Sequence, residues 1–276
     1  MTTDISATRV LPVGEMLERE GRQRARRESR AQNAKRLVLI VALLAAWQLA
    51  SGRLIHPFFV SSPSAVCSRL AEWAANGDLF PHLGVTALEM VVGFAGGTVL
   101  GLVLGIIFGL FPMLERILSP LLVGFNAVPK IALAPIFVIL LGIGLMSKIV
   151  LVISVVMFLV MFNTITGIQR ADKELLQALR LMHASRSQVI WHVVIPGAIA
   201  YMFVGMKLSL RYALNYAVVG EILAGNRGIG FLMSRSLGNL DTSGVMAGVV
   251  VLVVCGLSLY MGVSMLESKL LRWRLA

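Results

Sequence analysis

The strongest constraint on this chain is an alternation of long apolar runs with short polar connections. Six runs stand out: Leu37 to about Ser51, Gly84 to Leu110, about Ile131 to Leu145, Lys148 to about Ile168, about Ala200 to Leu223 and about Val245 to Leu266. In hydrocarbon the backbone has no water to bond, so a segment of ~20 apolar residues crosses as a helix that satisfies its own N–H and C=O groups. The pattern predicts an all-α, polytopic membrane protein with about six transmembrane helices. The third run is short and contains Pro135; it extends backwards through Ile117–Val128 with a break at Pro129. Composition agrees, since 57% of the residues are hydrophobic, 14% are charged and the mean hydropathy is +0.83, against about 25% charged residues in a soluble domain. A water-soluble globule and a disordered tail protein are excluded. Cys67 and Cys255 form neither a disulfide framework nor a metal site and read as free thiols, buried or interfacial.

The formal charge is +11, from 25 Lys and Arg against 14 Asp and Glu. Such an excess suits either nucleic acid or a membrane topology, and its placement decides between them. With the N-terminus inside, the inner segments are residues 1–36, Phe111–Lys130, Gln169–Pro196 and the C-terminal tail, and they hold eighteen basic residues. The outer segments hold five, Arg53, Arg69, Lys148, Arg227 and Arg235. The positive-inside rule then places both termini in the cytoplasm and accounts for most of the excess without nucleic acid. Residues 1–36 read as a basic cytoplasmic tail, either solvated or lying as a surface helix on anionic lipid headgroups, and residues 37–276 as the transmembrane domain. No small-residue cleavage site follows the tail cleanly, so the first run reads as an uncleaved anchor. Between the first two runs, Ser62 or Ser64 caps a short helix reaching about Asn76-Gly77; Val66, Leu70 and Trp73 give it one apolar face, which suits the membrane interface.

Three features bear on function. Gly93, Gly97, Gly101, Gly105 and Gly109 recur every four residues in the second run. Lipid supplies no hydrophobic drive for helix association, so such a stripe serves close backbone contact, within the bundle or at a subunit or sliding surface. In the fifth run Lys207, Arg211 and Asn215 recur every four residues, followed by Glu221. Polar groups at membrane depth line a cavity or meet one another. Either Arg211 and Asn215 contact an anionic solute, or Lys207 snorkels to the inner surface while Arg211 pairs with Glu221 or another helix.

The third feature is the amphipathic stretch Asp172–Pro196, where Leu175, Leu176, Leu179 and Met182 form a stripe with Glu174, Gln177 and Arg180 off it. A second short helix starts at Ser185, capped by its hydroxyl, and runs through Ile190 and Trp191 to a stop at Pro196. Two short helices in so long a connection suit docking of a soluble partner. Enzyme signatures are missing: there is no G-x-x-x-x-G-K-[ST], H-E-x-x-H or G-x-S-x-G, no paired carboxylates lie within a span, and His56, His82, His183 and His192 lack metal-ligand spacing. No catalytic residue, metal or cofactor is therefore assigned to this chain.

The same stretch resembles a loop motif of bacterial ABC importer permeases, E-A-A, three residues, G, nine residues, I-x-L-P. It reads Gln177-Ala178-Leu179, three residues, His183, nine residues, Val193-Val194-Ile195-Pro196, with complete agreement in spacing. Glu174-Leu175-Leu176, Ala184-Ser185-Arg186, Phe59 through Ser64, Gly77-Asp78-Leu79, Gly93-Phe94, Gly205 with Leu208, and Glu221 followed by Gly228-Ile229-Gly230 resemble the nitrate/sulfonate/taurine branch. The resemblance covers roughly residues 55–265, with its core from about 80.

It implies an importer-permease bundle in the bacterial inner membrane whose cytosolic coupling helices, within residues 169–196, fit a groove on separate ABC ATPase subunits that bind ATP and Mg. A second copy or a sibling permease, and a periplasmic or lipid-anchored solute-binding protein, complete the machine. Ala178 and the residues after it fill the groove, and Pro196 ends the helix pair. Gln177 replaces the usual Glu, Leu179 the second Ala and His183 the Gly, whose tolerance of positive φ suits the turn; Glu174, one turn earlier, offers an acidic contact. The implied solute is a small anion such as an alkanesulfonate, taurine or nitrate. The alternatives are a thiamine-precursor pyrimidine or other uncharged or aromatic solute, and an ATP-independent carrier or channel.

Overall fold

The computed structural model describes residue 32 and residues 34–53 and 59–270. Nearly all of the basic tail and residues 271–276 therefore lie outside the described residues, and with them the expected surface helix. The chain divides into two compact units, residues 1–64 and 65–276.

In the first unit the opening apolar run forms helix α1 over residues 34–50, about 25 Å long at 1.5 Å per residue. After Gly52, at φ +87°, the chain returns alongside its end. Trp47 Nε1 donates to the Ser61 carbonyl at 2.7 Å and Ser51 Oγ to the Val60 carbonyl at 3.0 Å.

Helix α2 (Pro63–Ala75) starts at the junction, and within the second unit it buries Val66 and Trp73. Arg69 ties it to Glu72 at 2.8 Å and to Asp241 at 3.1 Å. Burial pushes the Asp241 carboxyl up, but hydrogen bonds from Ser243 and the Gly244 amide and the nearby Arg69 guanidinium outweigh it and hold the group below its usual value.

The second unit is built on α3 (Leu79–Leu110), α6 (Leu145–Gln169) and α9 (Ile195–Ala224), which pack in that order. The glycine stripe of α3 lies against α6. A Cβ would fall 2.6 Å from Val152 Cβ at Gly93, 2.6 Å from Val156 Cβ at Gly97 and 2.7 Å from the Met157 carbonyl at Gly101. At Gly105 it would fall 2.5 Å from Thr164 Cβ, and at Gly109 2.7 Å from Ile168 Cδ1. Val152, Val156 and Val160 of α6 share one buried cluster with Ala213 and Ala217 of α9, so small residues close both contacts.

The third run is a broken element, as the proline placement suggested. Helix α4 (Pro112–Ala127) ends at Val128, a 3-10 turn spans Lys130–Leu133, and α5 (Ala134–Leu141) leaves at 82° to α4. Pro129 forces the residue before it out of the helical region, and Val128 is extended at φ −65°, ψ 127°. Lys130, counted above as an inner-flank charge, is buried at 6% exposure and donates to the carbonyls of Phe125, Asn126 and Val128. Lys148, counted as an outer-flank charge, is 3% exposed and pairs with Glu89 at 2.5 Å. Lys and Arg counts treat every cation as solvated, and these two are not.

The connection after α6 contains α7 (Lys173–Leu181) and α8 (Arg186–Val189). The predicted stop at Pro196 does not occur. A π-turn over Ile190–Val194 joins α8 to α9 in one continuous helix, Arg186–Ala224. The Ile195 N–H bonds to the Ile190 carbonyl, five residues back, and this wider turn lets the helix continue past Pro196, which has no N–H to bond back. Helices α10 (Ile229–Gly238) and α11 (Thr242–Leu270) complete the chain. Among the described residues, α3, α6, the α8–α9 helix and α11 are long and apolar enough to cross a membrane, and the bent α4–α5 pair makes a fifth span if it is one.

Candidate functional site

The motif-bearing connection is held by local bonds. Asp172 Oδ1 accepts the Glu174 and Leu175 amides at 2.9 and 3.3 Å and so starts α7. Met182 N–H returns to the Ala178 carbonyl at 3.1 Å and Ala184 N–H to the Leu179 carbonyl at 3.0 Å. His183 stands in the turn at φ 56°, the left-handed region that a glycine would adopt freely. Ser185 then caps α8 in a reciprocal box: its Oγ accepts the Gln188 amide at 3.3 Å, and Gln188 Oε1 accepts the Ser185 amide at 2.7 Å.

Leu176 and Val189 pack on Ile168, Val194, Ala198 and Met202, at the ends of α6 and α9. Glu174, Gln177, Ala178, His183 and Ser185 are exposed, while Leu179, Ala184 and Pro196 are half-buried. Leu181, Met182 and Trp191 are exposed at 83%, 76% and 68%. The connection thus presents an apolar edge beside polar Glu174 and Gln177.

A second constellation lies on α9. Lys207, Arg211 and Asn215 line one cavity of about 960 Å³, facing apolar residues of α11 such as Val253 and Leu257. The two cations differ. Lys207 forms a half-buried ion pair with Glu267, near the C-terminal end of α11, and lies 5.9 Å from the Tyr260 ring centre. Arg211 is exposed on the cavity wall, 5.5 Å from the Tyr212 ring centre, and makes no ion pair among the described residues. The suggested Arg211–Glu221 pair does not form. Ten residues separate them, ~15 Å along a helix and on different faces.

Glu221 belongs to a third, fully buried cluster that the sequence reading did not assemble. Its carboxylate accepts Thr86 Oγ1 and the Gly230 amide, both at 2.6 Å. Thr86 Oγ1 in turn accepts the Ile229 amide at 2.8 Å, and His82 Nδ1 accepts the Gly228 amide at 2.9 Å while its ring stacks on Phe231. Gly228 holds φ +115°, and a side chain there would strike the Glu221 carboxylate. Glu89 of α3 lies beside this group and pairs with Lys148 of α6. Two carboxylates absent as a pair from any single span are therefore brought together from two. Glu89 and Lys148 carry the signal that would have found them, since a charge inside an apolar run demands a partner. Chemically the cluster holds residues 228–230 to α3 and to the end of α9.

Residues 97–272 match the family described as binding-protein-dependent transport system inner membrane component. The chain is 30% identical to the taurine transport system permease protein of Escherichia coli over 240 residues, 85% of this chain and 87% of the relative. It is 31% identical to a Bacillus subtilis protein named for aliphatic sulfonates transport, covering 87% of each chain. It is 27% identical to the formylaminopyrimidine transport permease protein of Halalkalibacterium halodurans, covering 86% of this chain and 94% of the relative. Among solved structures, the fold resembles a chain of the MetNI methionine ABC transporter in an inward-facing conformation. The TM-score is 0.56 at 18% identity, over 69% of this chain and 98% of that one.

Proposed function

Because the chain belongs to the family of binding-protein-dependent transport system inner membrane components and is the permease of an ABC importer, we propose that its solute is a small anion of the alkanesulfonate class, taurine included. The observation that carries this reading is Arg211, a cation on the wall of the 960 Å³ cavity with no carboxylate partner among the described residues. Lys207 and Glu267 cancel each other, so Arg211 leaves that wall with net positive charge, and Asn215, one turn on, adds a neutral donor. A guanidinium offers a planar donor fork that suits a tetrahedral sulfonate oxygen pair. The names of the taurine and aliphatic sulfonate relatives support the same class.

In this reading the Gln169–Pro196 connection faces the cytoplasm, as do both termini. Its apolar edge of Leu181, Met182 and Trp191 docks on an ABC ATPase subunit, which binds ATP and Mg and supplies the energy that this chain has no motif to harvest. A second permease copy or sibling completes the pathway, and a solute-binding protein delivers the solute.

The test is growth of a deletion strain on taurine, short alkanesulfonates, nitrate or a pyrimidine precursor, complemented by the intact gene or by Arg211→Gln. Growth on sulfonates restored by the intact gene and lost with Arg211→Gln, at equal membrane abundance, is the expected result. Sulfonate growth unchanged by Arg211→Gln removes Arg211 from the pathway. Loss of growth confined to the pyrimidine removes the sulfonate reading.

A further inference from the structure

A smaller cavity of about 300 Å³ sits at the break between α4 and the 3-10 turn. Asn126, Val128, Pro129 and Lys130 form one side, and Tyr212 and Tyr216 of α9 the other. The same two tyrosines line the larger cavity that contains Arg211. The two spaces therefore share these two side chains.

The break creates an electrostatic problem at this place. A helix ends in carbonyls without intrahelical partners and carries roughly half a unit of negative charge there. Asn126, Ala127 and Val128, at the C-terminus of α4, line the small cavity. Lys130 answers it. Its Nζ lies 2.5 Å from the Phe125 carbonyl and 3.1 Å from those of Asn126 and Val128, and 4.9 Å from the Phe158 ring centre. Three acceptors use all three N–H groups of an ammonium, which a neutral amine lacks. The sum of a full positive charge and the helix end leaves this wall about half a unit positive.

We infer that Lys130 is a positioning residue for anion passage: by cancelling the negative end of α4 at the break in the span, it lets the cavity behind Tyr212 and Tyr216 admit an anion. This rests on the sulfonate reading of the same pathway. Loss of one unit charge about 10 Å from the solute, at an effective dielectric of about 20, weakens an anion's binding on the order of tenfold.

The experiment uses the complete transporter, with its ATPase and solute-binding protein, in lipid vesicles, and follows uptake of labelled ethanesulfonate. Lys130→Gln retains two N–H donors for the carbonyls but loses the charge; Lys130→Arg retains both. Expected is a rise of about tenfold in KM for Lys130→Gln, with recovery in Lys130→Arg and with melting temperature and basal ATP hydrolysis close to the wild type. Asn126→Asp, which keeps Lys130 in place and adds a negative charge to the same cavity, is expected to raise KM several-fold and decides the matter if Lys130→Gln fails to assemble. Wild-type KM in a folded Lys130→Gln, or in Asn126→Asp, overturns the inference and leaves the sulfonate reading standing. Wild-type vesicles that accumulate no ethanesulfonate overturn both.

Discussion

Replacing Gly101 by alanine tests whether the α3–α6 contact is set by backbone approach. An alanine Cβ there lies 2.7 Å from the Met157 carbonyl oxygen and 2.8 Å from Val160 Cβ. Ordinary contact requires more than half an ångström beyond that, and the first obstacle is backbone, which cannot rotate away. Overpacking of this kind costs about 1–3 kcal/mol, against a helix-propensity gain of about 1 kcal/mol for replacing glycine. The net expectation is a loss of up to ~2 kcal/mol, or a melting point lower by up to ~8 °C at this chain length. Gly124→Ala in α4 is the internal reference, because nothing lies within 4 Å of its Cβ and only the propensity gain operates. Gly96→Ala should fall between the two, since its nearest obstacle, Ile153 Cδ1 at 3.1 Å, is the end of a flexible side chain. Thermal unfolding of the three purified variants, read as the fraction remaining monodisperse after heating in detergent, gives the order. Gly101→Ala melting with or above Gly124→Ala would refute close packing as the role of the stripe.

His183→Gly relieves the φ of 56° and should slow amide exchange in the Met182–Ala184 turn by a factor equivalent to ~1 kcal/mol, whereas His183→Val should accelerate it. Glu221→Ala leaves the Gly230 amide, which now donates to the carboxylate, without that acceptor in a buried site; an unpaired buried donor costs ~1–3 kcal/mol, readable as a lower melting temperature and faster exchange of the Gly230 amide. Asp241 is held below its unfolded value, so its contribution is present above about pH 4 and is lost as pH falls through the lower folded value. Asp241→Asn should flatten that acid limb of melting temperature against pH and leave the neutral range displaced by a constant; an unchanged acid limb would assign it to other carboxylates.

Four of the six expected spans, in α3, α6, α9 and α11, were legible because apolar length is a one-dimensional property, and so was the stripe of Gly93 through Gly109, whose four-residue spacing is a helix face. The start of α8 was legible for a local reason too: Ser185 and Gln188 are three residues apart and satisfy each other. What sequence hid was pairing across distance. Lys148 meets Glu89 from another helix, and Lys130 turns back onto carbonyls four and five residues earlier only because Pro129 breaks α4. Both had the composition of flank charges. The three residues of Lys207, Arg211 and Asn215 did share a face, but their difference in role depends on Glu267, sixty positions from Lys207, and no periodicity in α9 contains it.

Pro196 is the instructive error, and its correction changes the mechanics. A stop there would make a joint between the motif-bearing connection and the fifth span. Instead Arg186–Ala224 is one helix, about 58 Å long at 1.5 Å per residue. It carries Ser185 at its cap, Arg211 and Asn215 on the cavity wall and Glu221 at its far end. The helix runs from that cap to the cavity wall through the π-turn and Pro196. The π-turn over Ile190–Val194 is the place where register departs from the α pattern, and it sets the angle between the faces of α8 and α9. Leu176 and Val189 pack beside that turn on Ile168 and Ala198. The buried hydrogen bonds from Glu221 to Thr86 and Gly230 hold the other end to α3 and the 225–230 turn. Movement of the helix must therefore either carry that turn with it or break those bonds.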